Sequence, residues 1–249
     1  MIGKYIATIS IVTVLVFSYL LLSDMIVFPS EQSLSAFELS IVKPYNLFFY
    51  ELVHSGYSHL FANLFLILLS GIVLEPIIGR KSMLLLFAGA VSICGLAVVL
   101  VSPQISLVGA SGGGIALLTA AFIADPKKAF ALLAASVIAI FLVVSAVNFI
   151  VEQKNAEIEN QIETLEGQKA VAAQNNDYAA VQAASEQILQ KEADLEGIRK
   201  AREAERATSA NFMLHVAAAF FGIIYMYIFH KKIAVKTSRL LKFPALARK

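Results

Sequence analysis

The sequence predicts an all-α polytopic membrane protein: six transmembrane helices, with one extracytoplasmic helical hairpin inserted between the fifth and the sixth. Three observations carry this. The 249 residues are 58% hydrophobic and 15% charged, with a mean hydropathy of +0.74, too apolar for a soluble globular domain. Apolar runs near the ~20 residues that cross a bilayer as a helix occur six times, at 6–28, 60–78, 83–101, 107–124, 129–151 and 211–229. Basic residues gather at alternate ends of these runs, as the positive-inside rule requires.

The first run is long and no Ala-x-Ala site follows it, so it reads as a membrane anchor and not as a cleaved leader. Lys4, Arg80, Lys81, Lys127, Lys128 and the tail residues Lys231, Lys232, Lys236, Arg239, Lys242, Arg248 and Lys249 then share one side. Lys43 alone falls in a short loop opposite. Both ends of the chain are expected in the cytoplasm, in the cell membrane, and the tail 231–249 reads as a topology signal touching anionic lipid, not as a nucleic-acid site. The single cysteine, Cys94, lies inside the third run; a disulfide framework is excluded and the thiol reads as a small core residue.

Two segments stand apart from the spans. Residues 29–58 carry Phe37, Tyr45, Phe48, Phe49, Tyr50 and Tyr57 with few charges, the composition of a loop lying in the membrane interface. Residues 152–207 hold 7 basic and 12 acidic side chains, net −5 against +7 for the remainder. There Val151, Ile158, Leu165 and Ala172 recur at sevens, with Ile162 between them. After Asn175-Asn176-Asp177 the pattern returns in Val181, Ile188 and Leu195, with Ala184 and Ile198 between. Asp177 is placed to cap the returning helix. This is the pattern of an antiparallel hairpin with arms ~35–45 Å long. Asn155, Lys169, Lys191 and Arg202 fall in its seam, so the hairpin is marginal alone or takes a protein partner. The chain thus divides into spans one to five (1–151), hairpin (152–207), span six (208–230) and tail (231–249).

Spans two, four and six run in the same direction, and each carries a polar residue near its outer start. Asn63 precedes Arg80 by 17 residues, Ser111 precedes Lys127 by 16, and His215 precedes Lys231 by 16. At 1.5 Å per residue all three lie ~24–26 Å above the inner boundary of a ~30 Å core. His59 is one turn above Asn63 on the same face, and His54 is higher still. Buried polar groups in hydrocarbon are costly and mark function. A serine needs a base, which His215 supplies. A developing oxyanion needs donors, for which Asn63, His59 and the Ser111 backbone N–H are candidates. The glycines around Ser111, Gly109 and Gly112 among them, remove side-chain bulk and let helices and a substrate backbone approach. Glu75, near the inner end, reads as a structural hydrogen-bonding residue; Asn148 has no role assigned from the sequence.

These residues resemble the motifs of the rhomboid family of intramembrane serine proteases. His54-Ser-Gly-Tyr-Ser-His59-Leu-Phe-Ala-Asn63 is similar to H-x4-H-x3-N, Glu75 to Gly79 to E-x3-G, Gly109-Ala110-Ser111-Gly112 to G-x-S-G, and His215 with Ala218 and Gly222 to H-x2-G-x3-G. The resemblance implies a six-helix bundle and a Ser111–His215 dyad without an acid. It also implies an oxyanion hole from His59, Asn63 and the Ser111 amide, and cleavage of transmembrane proteins near their outer ends without metal or cofactor. Three positions depart from the family pattern: Tyr45-Asn46 replace a Trp-Arg pair in the first outer loop, Ile115 replaces a tyrosine four residues after the nucleophile, and Ala218 replaces the first glycine of the last motif. Two other classes compete. One is a catalytically inactive rhomboid-like protein that binds transmembrane helices through the hairpin. The other is a transporter, which lacks paired carboxylates and repeated halves here.

Overall fold

A computed structural model describes residues 2–22, 31–208 and 212–240. The described residues form helices α1 (Ile6–Leu22), α2 (Glu31–Phe37), α3 (Tyr57–Ile78), α4 (Arg80–Val101), α5 (Ser111–Ala124), α6 (Pro126–Gln174), α7 (Tyr178–Thr208), α8 (Phe212–Phe229) and α9 (Lys231–Leu240). Four of them, α3, α4, α6 and α8, are long and apolar enough to cross a membrane; α1 and α5 are shorter apolar helices. The bundle is therefore a membrane-type helical assembly.

Its helix boundaries differ from the expected ones for local reasons. The α3–α4 break falls at Gly79, whose φ of +83° is a left-handed value open to glycine, so α4 starts at Arg80 and not at 83. Pro126 occupies the first turn of α6, and Asp125 accepts from Lys128 N at 3.2 Å, which starts that helix before 129. The expected span at 107–124 is corrected most. Its helix begins only at Ser111, because Gly109 at φ +93° interrupts it and Leu107 pairs with Leu39 as an isolated antiparallel bridge. The last residues expected in the first span, 23–28, lie outside the described part.

One end of the bundle is tied by a carboxylate. Glu75, buried in α3, accepts from Ala7 N and Thr8 N, each at 2.9 Å, and from Thr8 Oγ1 at 2.7 Å. These are first-turn donors of α1 that no helical carbonyl could satisfy, so the charge both pairs them and favours the positive end of the helix dipole.

At the opposite end, residues 38–56 fold over the helices. Asn46 Nδ2 donates to Ala36 O at 2.8 Å and Glu38 O at 2.9 Å, and Lys43 pairs with Glu38 at 3.1 Å. Asn46 thus supplies the loop's internal bonding at the position where the sequence departs from the family. α4 contains a π-helical turn at Ala90–Cys94; there Tyr50 Oη donates to Val91 O at 2.8 Å, a carbonyl that also accepts from Gly95 N. Gly95 leaves room for the phenol, since a Cβ there would lie 2.5 Å from Tyr50 Oη.

Residue 151 marks no break. α6 runs 49 residues from Pro126 to Gln174, about 73 Å at 1.5 Å per residue. A turn at 175–177 returns the chain as α7 packed along it, with Asp177 Oδ1 accepting from Ala180 N at 3.1 Å and Asn176 at φ 57°. Val151, Ile158 and Ala184 are buried in the seam and Leu165, Val181, Ile188 and Leu195 are partly so. Asn155 Oδ1 is buried there without a partner among the described residues; the side chain of Arg202 lies outside the described part.

Two measurements follow from these contacts. Glu75→Ala leaves the α1 donors unpaired and is expected to cost about 2–4 kcal/mol in reversible unfolding from detergent micelles, with Thr8→Val costing about 1. Glu51, in the loop 38–56, has its carboxyl raised by burial from about 4.5 to about 7, and Oε2 has no partner among the described residues. The folded state then holds that proton more tightly than the unfolded chain. The contribution is complete below the unfolded value and is lost as pH rises to about 7. Glu51→Gln should flatten the decline in unfolding free energy across that window.

Candidate active site

Ser111 is the first residue of α5 and is 8% exposed. It emerges from 102–110, a segment of irregular backbone that would be untenable at membrane depth unless buried in protein and paired. The pairing is present: Leu39 N donates to Leu107 O at 2.9 Å, Leu107 N to Leu39 O at 2.8 Å, and Gly109 N to Tyr50 O at 2.8 Å. At Gly109 two demands coincide. Its φ is left-handed, and a Cβ there would lie 2.6 Å from His59 Cε1, 2.7 Å from His59 Nε2 and 3.3 Å from Asn63 Nδ2. The imidazole and the amide from α3 therefore rest on the backbone two residues before Ser111.

The donors around this point are uncommitted. The first rung of α5 is Gly114 N to Ala110 O at 3.0 Å, so the N–H groups of Ser111, Gly112 and Gly113 lie outside the helical ladder. Ala110 provides no side-chain cap. Asn63 Nδ2 is buried without a partner among the described residues. These donors lie at the positive end of a helix, where an anion is favoured.

His59 is oriented from behind. Ser55 Oγ lies 3.1 Å from His59 Nδ1, which leaves Nε2 for the Gly109 side. The His54 ring stands edge-on to His59 at 5.2 Å; it is fully buried, and neither ring nitrogen has a partner among the described residues. Burial and the neighbouring His59 hold the His54 imidazole well below its ordinary range, so it is neutral.

α8 brings the second half of the site. Leu214 seats on Gly112, where a Cβ would approach Leu214 Cδ1 to 3.3 Å, and Gly222 faces the Ala116 carbonyl, where a Cβ would stand 2.6 Å from oxygen. Ala218, fully buried, fits between them. Any side chain at 222 would push α8 off α5, so small residues set this contact. His215 follows Leu214, half-buried, within electrostatic range of His59. In this conformation no hydrogen bond joins Ser111 Oγ to His215 among the described residues. Ile115, one turn into α5, is partly buried against the core.

The structure thus brings Ser111, His59, Asn63, Gly109, Gly112, His54 and the start of α8 with His215 to one end of the bundle; Ala218 and Gly222 lie one and two turns further along α8, and Glu75 lies toward the other end. Two participants were missed in the sequence. Ser55 had a readable signal, a hydroxyl four residues before a histidine. Tyr50 had none, since its partner is a backbone carbonyl on another helix. Asn148 also acquires a role: its Oδ1 accepts from Tyr57 Oη at 2.6 Å, joining α6 to the start of α3. Among the described residues no three His, Cys, Asp or Glu side chains gather as a metal site would need.

Residues 42–162 match the family model described as Rhomboid domain. That stretch contains His54, His59, Asn63, Glu75 and Ser111; His215 lies beyond it. No curated protein and no solved structure matches the chain.

Gly109→Ala must adopt a left-handed backbone and displace an imidazole. A loss of about 2 kcal/mol or more is expected in detergent unfolding, against a gain of about 0.5–1 for Gly167→Ala, a glycine within α6 that meets nothing within 4 Å.

Proposed function

From the rhomboid domain that this chain carries, we infer an intramembrane serine endopeptidase that cleaves transmembrane proteins near the outer face of the cell membrane. The observation that carries this reading is the packing of His59 and Asn63 on Gly109, beside a serine whose neighbouring backbone donors are unspent. Ser111 is the nucleophile and His215 its base. Asn63, His59 and the first N–H groups of α5 receive the oxyanion.

In the proposed cycle an unwound substrate segment enters between helices and presents a carbonyl to Ser111. Ser111 and His215 come into hydrogen-bond reach as substrate binds, as happens where catalytic contacts tighten only in the complex. His215 accepts the hydroxyl proton during attack and returns it to the leaving amine. Water from the nearby outer surface then hydrolyses the acyl-enzyme, with His215 again as base. Preorganised donors in a site of low dielectric stabilise the oxyanion more than water would. No cofactor enters these steps.

The topology that goes with this reading has six spans, counting the shorter α1 and α5, both chain ends in the cytoplasm, and the α6–α7 hairpin outside. There the hairpin gates or recruits substrate, since both arms continue into helices beside the site. A second reading, an inactive homologue that binds membrane helices, is favoured by one observation: Ser111 and His215 are not hydrogen-bonded to each other in this conformation.

A serine-directed fluorophosphonate separates the two. The wild-type chain should be labelled, and Ser111→Ala and His215→Ala should fall to background while remaining folded. Asn63→Ala should lower the cleavage rate of a helix-destabilised reporter by roughly 10²-fold. A folded wild-type protein that neither labels nor cleaves selects the binding reading. Replacing 152–207 by a short linker should alter rate or substrate choice; identical cleavage across several single-pass reporters would remove the hairpin from the mechanism.

A further inference from the structure

At the end of the bundle remote from Ser111, a cleft of about 600 Å³ opens between the chain before α1 and the α3–α4 turn. Its charged lining is Lys4, Glu75, Arg80 and Lys81, joined by Ser82 and the backbone of Gly79. Glu75 is turned to the first turn of α1, and among the described residues lining the cleft three cations stand against this one carboxylate, an excess of positive charge. Arg80 is steadied across the cleft by a bond from Nη2 to Gly3 O at 3.3 Å. The floor is the N-terminus of the 22-residue α4, which Gly79 enters at φ +83° without offering a side-chain cap. Its first N–H groups and its dipole add to the positive field.

Free phosphate and a lipid headgroup share the chemistry that suits such a cleft. The flanks decide between them. Ile6, Ile9, Ile77, Leu84 and Leu85, beside the cleft on α1, α3 and α4, are 39–66% exposed on the apolar surface. A phosphodiester seated on Arg80 and Lys81 would lay its acyl chains along those residues, at the boundary where α3 and α4 leave the hydrocarbon.

We propose that this cleft binds the phosphate of an anionic phospholipid of the phosphatidylglycerol class, bridging α1 to the α3–α4 turn. Occupancy stabilises the contact that Glu75 makes with α1 from the opposite side, and it is independent of any chemistry at Ser111.

The test is thermal unfolding of the full chain in mild detergent, titrated with dihexanoyl phosphatidylglycerol, dihexanoyl phosphatidylcholine or inorganic phosphate. Phosphatidylglycerol should raise the midpoint saturably. Arg80→Gln/Lys81→Gln should weaken its apparent affinity about tenfold or more. Lys127→Gln/Lys128→Gln, which removes equal charge beside the α5–α6 turn, should change it less than about twofold. Lys4→Gln, outside the α-helices, should weaken it severalfold and provides the readout if the Arg80/Lys81 variant fails to fold. Equal losses in the two double variants would reduce the site to diffuse surface charge and overturn the proposal, as would equal stabilisation by phosphatidylcholine. Stabilisation by inorganic phosphate alone, abolished by the same substitutions, would keep the phosphate site and overturn the lipid as its source.

Discussion

Irregular backbone in an apolar surrounding must find a partner for every N–H and C=O. This constraint governs the site. α5 is 14 residues long, about 21 Å, short of a ~30 Å hydrocarbon thickness, and the nine residues before it are not helical. They persist there because residues 38–56 clothe them, through the Leu39–Leu107 bridge and the Tyr50 carbonyl on Gly109. The loop 38–56 is therefore part of the site's construction. Asn46 and Lys43, which hold that loop in shape, act on Ser111 at one remove.

Glycine does the complementary work at the helix contacts. At Gly109 it admits the α3 imidazole and amide, at Gly112 it admits Leu214, and at Gly222 it lets α8 reach the Ala116 carbonyl. Each missing Cβ is occupied by a particular neighbour, so the stripe is a set of separate fits. Ala218 shows the tolerance of this surface, since its methyl is accommodated without exposure. The same geometry leaves the N–H groups of Ser111, Gly112 and Gly113 outside the helical ladder.

Much of this was legible in the residues. Counting from the basic turns set Asn63, Ser111 and His215 at a common depth, and the contacts bring the segments carrying them together. The sevens in Val151, Ile158 and Leu165 marked one face of the first arm, and Asp177 marked the start of the second. What stayed hidden depends on tertiary partners. A π turn has no composition of its own; Tyr50 becomes meaningful only beside Val91 O. The start of α5 was misread because Leu107 and Val108 are as apolar as the helix that follows, and hydropathy cannot distinguish a buried loop from a span. Asn148 looked stray until Tyr57 reached it across the bundle.

α6 carries one further consequence. It is a single unbroken rod whose apolar stretch is only 6% buried, held near its middle by the Tyr57–Asn148 bond. A rod without a hinge is a lever: a sideways force on the Gln174 tip must reappear as tilt among the lipids, pivoting about that bond. Anything that grips the hairpin thereby gains mechanical purchase on the wall of the bundle next to α3, without touching the buried residues at all.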